Sequence, residues 1–147
     1  MRLWLTIVTL GILLLFALRH GGGPERAVAK TLALALALGF SRRLLFGPTS
    51  YLDFNWAQFA IEIGVLVGLT NVAIRANRWW PLCASALQVL VVFTYLCKLV
   101  GIKSMAGVYW GMTTLPTYLQ YLVLLAGIYG HSRRVSRVGQ YPDWRIA

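Results

Sequence analysis

The segment NWAQFAIEIGVLVGLTNVAIR, residues 55–75, is apolar on every side as a helix and carries one carboxylate, Glu62, in its interior. At 1.5 Å per residue it reaches about 32 Å, the thickness of a bilayer's hydrocarbon core. A helix apolar all round is either the core of a large protein or a membrane span. The flanking sequence favours the span. Apolar runs recur at Leu3–Leu18, Ala27–Phe46, Pro81–Gly101 and Pro116–Gly130, and short basic clusters separate them. Chains that settle in lipid keep their charges at the ends of such runs.

Composition agrees. Of 147 residues, 59% are apolar and 12% charged, against about 25% charged in a soluble domain. No polar run is long enough to build a separate water-soluble core. The reading is an all-α, polytopic transmembrane helix bundle of about five spans over residues 1–130, followed by a basic cytoplasmic tail, 131–147. A fifth-span helix at Pro116–Gly130 is expected after an interfacial stretch, Lys103–Leu115. The second run is the weakest span, since its uninterrupted apolar part, Thr31–Phe40, is only about 15 Å long. Four spans plus a re-entrant segment is therefore the alternative.

Orientation follows from the cations. If all five runs cross, one side receives Arg2, Arg42, Arg43, Lys98 and Lys103, while the other receives Arg19, Arg26, Lys30, Arg75, Arg78, Arg133, Arg134, Arg137 and Arg145. The richer side is cytoplasmic by the positive-inside rule, which puts the N-terminus outside and the C-terminus inside. Phe16-Ala17-Leu18-Arg19 offers no small-x-small cleavage site, so the first run reads as an uncleaved span rather than a signal peptide. The net charge of +10 then points to anionic lipid headgroups as partners, not to nucleic acid. Cys83 and Cys97 share one expected helix about 21 Å apart and cannot bridge.

Polar groups inside the spans are the candidate functional residues. Glu62 lies about 10 Å below the outer interface, where an acid is costly unless paired or protonated. Helical side chains tilt toward their own N-terminus, so Glu62 tilts outward while Lys98, Arg42 and Arg43 tilt inward toward it. An ion pair orienting three helices is expected, with proton or ion handling and ligand binding as the other two roles. Asn71 and Gln88 on adjacent spans are expected to hydrogen-bond. Ala60, Gly64 and Gly68 form a small-residue stripe that suits close helix packing, within the chain or between copies. Arg133, Arg134, Arg137, Trp144 and Arg145 are expected to lie against the inner leaflet or a partner's surface. His20 and His131 sit at basic interfaces beside glycines, a poor setting for cofactor ligation.

No G-x-S-x-G, HExxH, P-loop or CxxC pattern occurs, and no nucleophile has a nearby base. Neither enzyme activity nor a cofactor or metal is expected. Gly23-Pro24-Glu25-Arg26, the run Arg75-Ala76-Asn77-Arg78-Trp79-Trp80-Pro81 followed by Gln88, and the ending His131-x-x-Arg134 resemble a group of small polytopic inner-membrane proteins of alphaproteobacteria. That group has no assigned activity, so the resemblance implies a bacterial inner-membrane location and no reaction. The expected function is a non-catalytic integral subunit that packs against other integral membrane subunits and stabilises a larger complex, with respiratory or photosynthetic assemblies as natural hosts. The alternative is a small homo-oligomeric transporter or channel subunit that uses Glu62.

Overall fold

A computed structural model describes residues 2–47, 54–101, 106–139 and 144, with side chains from residue 6 onward except those of Ala106 and Val138. The described chain is all-α: α1 (Arg2–His20), α2 (Gly23–Phe46), α3 (Trp56–Arg75), α4 (Trp80–Leu99) and α5 (Ala106–Val138). Lys103, Tyr141 and Arg145 lie outside the described residues.

The ends of these helices are set by local chemistry. Pro24 and Glu25 occupy the first turn of α2, where a missing N–H costs nothing and an acid meets the positive end of the helix dipole. The Asn55 side chain caps α3 by accepting the Gln58 backbone N–H at 2.8 Å. Pro81 starts α4. Gly47, Gly101 and Gly139 follow α2, α4 and α5 with φ of 76°, 85° and 79°, the left-handed conformation that ends helices and that side chains resist.

α5 departs from expectation. In place of an interfacial stretch and a short span, one continuous helix of 33 residues runs through Pro116 and on past Gly130. The Thr113 hydroxyl donates to the carbonyls of Tyr109 and Trp110, and that of Thr117 to Thr113. These hydroxyl bonds support the turns on either side of the proline. Consequently Arg133, Arg134 and Arg137 are on a helix rather than in a loose tail.

Each helix packs on its neighbours in the chain, and α1 closes the ring against α5, which α2 also meets. The core takes one stripe from each helix, for example Leu10, Leu13 and Ala17 of α1, Val65, Leu69 and Val72 of α3, and Tyr121, Leu124 and Ile128 of α5. Spacings of three and four residues put each set on one face. The outside is equally apolar: Leu15, Leu34, Val67, Phe93 and Leu122 are all more than half exposed. α3 and α4 are long and apolar enough to cross a membrane. α2 has the length but also Glu25, Arg26, Lys30, Arg42 and Arg43.

The small-residue stripe on α3 splits. Gly68 faces Thr31 of α2, whose Cγ2 would lie 2.9 Å from an added Cβ, while a Cβ at Gly64 would meet nothing within 4 Å. Ala60 is exposed. A closer approach between helices lies elsewhere: a Cβ on Gly127 of α5 would sit 2.7 Å from the Trp80 indole of α4. Gly127→Ala is therefore expected to destabilise the bundle by about 1–3 kcal/mol through overpacking. Gly64→Ala should be neutral or slightly stabilising. Thermal unfolding of the two purified variants in detergent checks the contrast, and equal midpoints would refute the close α4–α5 approach.

Candidate functional site: a polar cavity within the bundle

Four side chains from three helices form a continuous polar relay. On α3, Gln58 and Glu62 are one turn apart, and Gln58 Nε2 donates to Glu62 Oε1 at 2.8 Å. From α4, Gln88 Nε2 donates to Glu62 Oε2 at 2.8 Å and to the Glu62 carbonyl at 3.2 Å. Gln88 Oε1 accepts from Gln120 Nε2 of α5 at 2.8 Å, and Gln120 also donates to the Ala84 carbonyl at 3.2 Å. Gln88 and Gln120 are 2% and 1% exposed. Buried amides must be paired, so this chain of donors orients the Glu62 carboxylate and ties α3, α4 and α5 together at one level.

Beside the relay lies a cavity of about 350 Å³. Arg42, Arg43, Glu62 and Lys98 all line it, together with Tyr95 and Tyr109. Arg43 and Lys98 come from the last turns of α2 and α4, where positive charge also complements the helix dipole, and Arg42 precedes Arg43 on α2. Arg42 is buried, and Lys98 Nζ sits 4.8 Å over the Tyr109 ring. Tyr109 in turn meets Tyr95 edge-on at 5.8 Å, and Tyr95 packs with Phe59 and Phe54 at 6.0 and 6.4 Å. Tyr95 and Tyr109 line the cavity with their rings, and the two phenylalanines back Tyr95. Three cations and one acid leave the described lining with an excess of positive charge.

The four charged candidates from the sequence thus share one cavity. The hydrogen-bond partners of Glu62 were not anticipated. Gln58 and Gln120 went unnoticed, although both are amides inside otherwise apolar stretches, a signal that was present. The expected Asn71–Gln88 bond does not form. Gln88 spends its amide on Glu62 and Gln120, and Asn71 is exposed. Asn71 shares the outward face of α3 with Val67 and Ile74, whereas Val65, Leu69 and Val72 face the core. Depth along the helix suited the pair, but rotation about its axis did not.

A second polar centre occupies the opposite end. Arg78, in the α3–α4 turn, donates through Nη1 to Glu25 Oε1 at the start of α2. Its Nη2 lies 2.8 Å from His131 Nδ1 on α5. Glu25 is 0% exposed. A guanidinium only donates, so Nδ1 accepts and the ring proton is on Nε2. Trp144 folds back onto the same end: it pairs with Ala76 through the backbone, and its indole packs against Gly23. Trp144 is thus anchored on its own chain while 38% of its surface stays exposed. Gly23 lacks the side chain that would otherwise block the indole.

No protein-family model, curated protein or solved structure matches the chain. Among the described residues, no group of three or more His, Cys, Asp or Glu side chains could hold a metal ion.

Proposed function

We propose that the protein is a polytopic protein of a bacterial inner membrane that binds an anionic group in the cavity between α2 and α5, as a small transport or channel subunit. The observation that carries this reading is the convergence of Arg42, Arg43 and Lys98 on a cavity whose one carboxylate among the described residues, Glu62, is held by Gln58 and Gln88. Cations placed within an apolar bundle are a default sign of a functional site, and the described lining carries three of them to one acid. A positively lined cavity raises the local concentration of anions, and about 350 Å³ is room for a small solute or a headgroup. Membrane placement is supported by α3 and α4 and by the exposed apolar residues on all five helices. α5, at about 50 Å, is long enough to project beyond the bilayer. The N-terminus lies outside and the C-terminus inside, as the cations require.

The test is saturable binding of small anions, inorganic phosphate and sulfate first, to the detergent-purified protein. Lys98→Gln and Arg43→Gln should each weaken binding about tenfold or more, the loss of one charge-assisted bond. Glu62→Gln should strengthen it, because it removes a like charge from the ligand's surroundings. Anion binding that is unaffected by all three variants would overturn the reading.

A second reading, a non-catalytic subunit that stabilises a larger membrane complex, is favoured by the open α3 face at Ala60 and Gly64, which none of the described residues packs closely. Small residues there would let a partner helix approach. Sizing the particle extracted from native membranes separates the two. Stoichiometric co-purification with a large complex favours the subunit, and a homogeneous particle of this chain alone favours the carrier.

A further inference from the structure

We propose that the ligand of the central cavity is a small zwitterion with a carboxylate and a primary ammonium, that is, an amino acid. The inference deepens the anion-binding reading above and rests on it: the anionic group is the ligand's carboxylate. The cavity wall holds both signs of charge, since Arg43 of α2 and Glu62 of α3 line it together. Among the described residues the ion pair is Arg78 with Glu25, at the other end of the bundle. Glu62 and the cations of its own cavity stand apart.

The packing of α2 on α3 sets that separation. Gly68 faces Thr31, and Gly39 faces Gln58, so the two helices run antiparallel. Arg43 is one turn beyond Gly39, and Glu62 one turn beyond Gln58 in the opposite direction. About 12 Å of rise therefore separates their Cα atoms. Helical side chains tilt toward their own N-terminus, which brings both charged heads back toward the Gly39–Gln58 level from opposite sides. Gly39 lines the cavity too, and it leaves that level clear of a side chain.

Each end has the chemistry for one half of the ligand. Glu62 and Gln58 are half-buried. Glu62 receives one N–H on each carboxylate oxygen, from Gln58 and Gln88. A carboxylate has about four acceptor positions, so about two stay open. Gln58 donates through Nε2 and receives no hydrogen bond on Oε1 from a described residue. An ammonium has three N–H donors, which these acceptors match. At the other end, Arg42 and Lys98 are engaged with other groups of the chain. Arg43 is exposed and forms no ion pair with a described residue, and a guanidinium pairs with a carboxylate through two parallel bonds. A simple anion would meet the like charge of Glu62, and a simple cation that of Arg43, and like charges brought together cost free energy. A ligand with both charges satisfies both ends. Leu36 and Ile61 in the lining offer apolar surface to its side chain.

The experiment is isothermal titration calorimetry of the detergent-purified full chain with glycine and L-leucine. Each is compared with the two analogues that lack one charge: acetate and methylamine for glycine, 4-methylpentanoate and isopentylamine for L-leucine. At least one amino acid should bind about tenfold or more tighter than either of its own analogues, the value of a charge-assisted bond. Glu62→Gln should weaken that amino acid about tenfold and tighten the acid analogue. Arg43→Gln should weaken the amino acid and tighten the amine. A variant that fails to fold loses every ligand alike, so these opposite shifts cannot come from lost structure. An acid analogue that binds as tightly as its amino acid, or Glu62→Gln tightening both, would overturn the inference. So would saturable phosphate binding, lost in Arg43→Gln, by a protein that takes neither amino acid; the anion-binding cavity would then stand without it. Absence of saturable binding by phosphate, sulfate and both amino acids alike would overturn the cavity's role itself, so the two failures are distinguishable.

Discussion

Arg78→Ala should destabilise the protein by about 3–5 kcal/mol. Arg78 joins three separate parts of the chain: the start of α2 through Glu25, the α3–α4 turn in which it sits, and α5 through His131. Glu25 is fully buried, and Oε2 already lacks a partner among the described residues. Removing the guanidinium would leave an acid buried without a counter-charge, which costs far more than the pair contributes when intact. The sign of the double substitution separates this account from simple loss of packing. Glu25→Leu/Arg78→Leu removes both charges and should recover most of the stability, because apolar pairs of similar volume replace buried ion pairs at little cost. Thermal unfolding in one detergent, with the three proteins side by side, gives the comparison. An Arg78→Ala variant within about 1 kcal/mol of wild type, or a double variant worse than it, would show that the buried pair does not organise that end of the bundle.

The second large effect is expected at Gln88. Gln88→Leu keeps the volume and helix propensity of the residue but cuts the relay at its centre. The Glu62 carboxylate loses one of its two amide donors, and Gln120, 1% exposed, loses the nearer of its two acceptors, keeping only the Ala84 carbonyl. A cost of about 2 kcal/mol follows for groups left unsatisfied in a buried site, the upper range for polar contacts between membrane helices. Gln120→Leu should cost less, since Gln88 retains Glu62. The double variant should fall short of the sum by about 1 kcal/mol, because the two residues share one bond. Asn71→Leu, on the exposed face of α3, should stay within about 0.5 kcal/mol of wild type. Comparable losses at Asn71 and Gln88 would contradict the relay.

What the local sequence already contained was the set of helices and their ends. Asn55 before Gln58, Pro24 with Glu25, Pro81, and the glycines at 47, 101 and 139 act within one turn of themselves. Their effects therefore do not depend on the rest of the molecule. α5 was misread for the same reason: proline normally ends a helix, and nothing local showed that Thr113 and Thr117 would support the turns beside Pro116.

The candidate site was legible in part. Tilt and topology brought Glu62, Arg42, Arg43 and Lys98 toward one region, because the distance from a span's end is a count of residues at a fixed rise. The tertiary structure alone decided which partners Glu62 takes and that Asn71 faces away from Gln88. Each residue advances a helix by about 100°, so a hydrogen bond depends on the rotation each helix adopts when it packs. Glu25 and Arg78 make the same point more strongly. They are 53 residues apart, and each alone reads as an ordinary charge beside an apolar run. Only the closing of the ring between α1, α2 and α5 buries them together, and burial turns two interfacial charges into a pair that neither can leave.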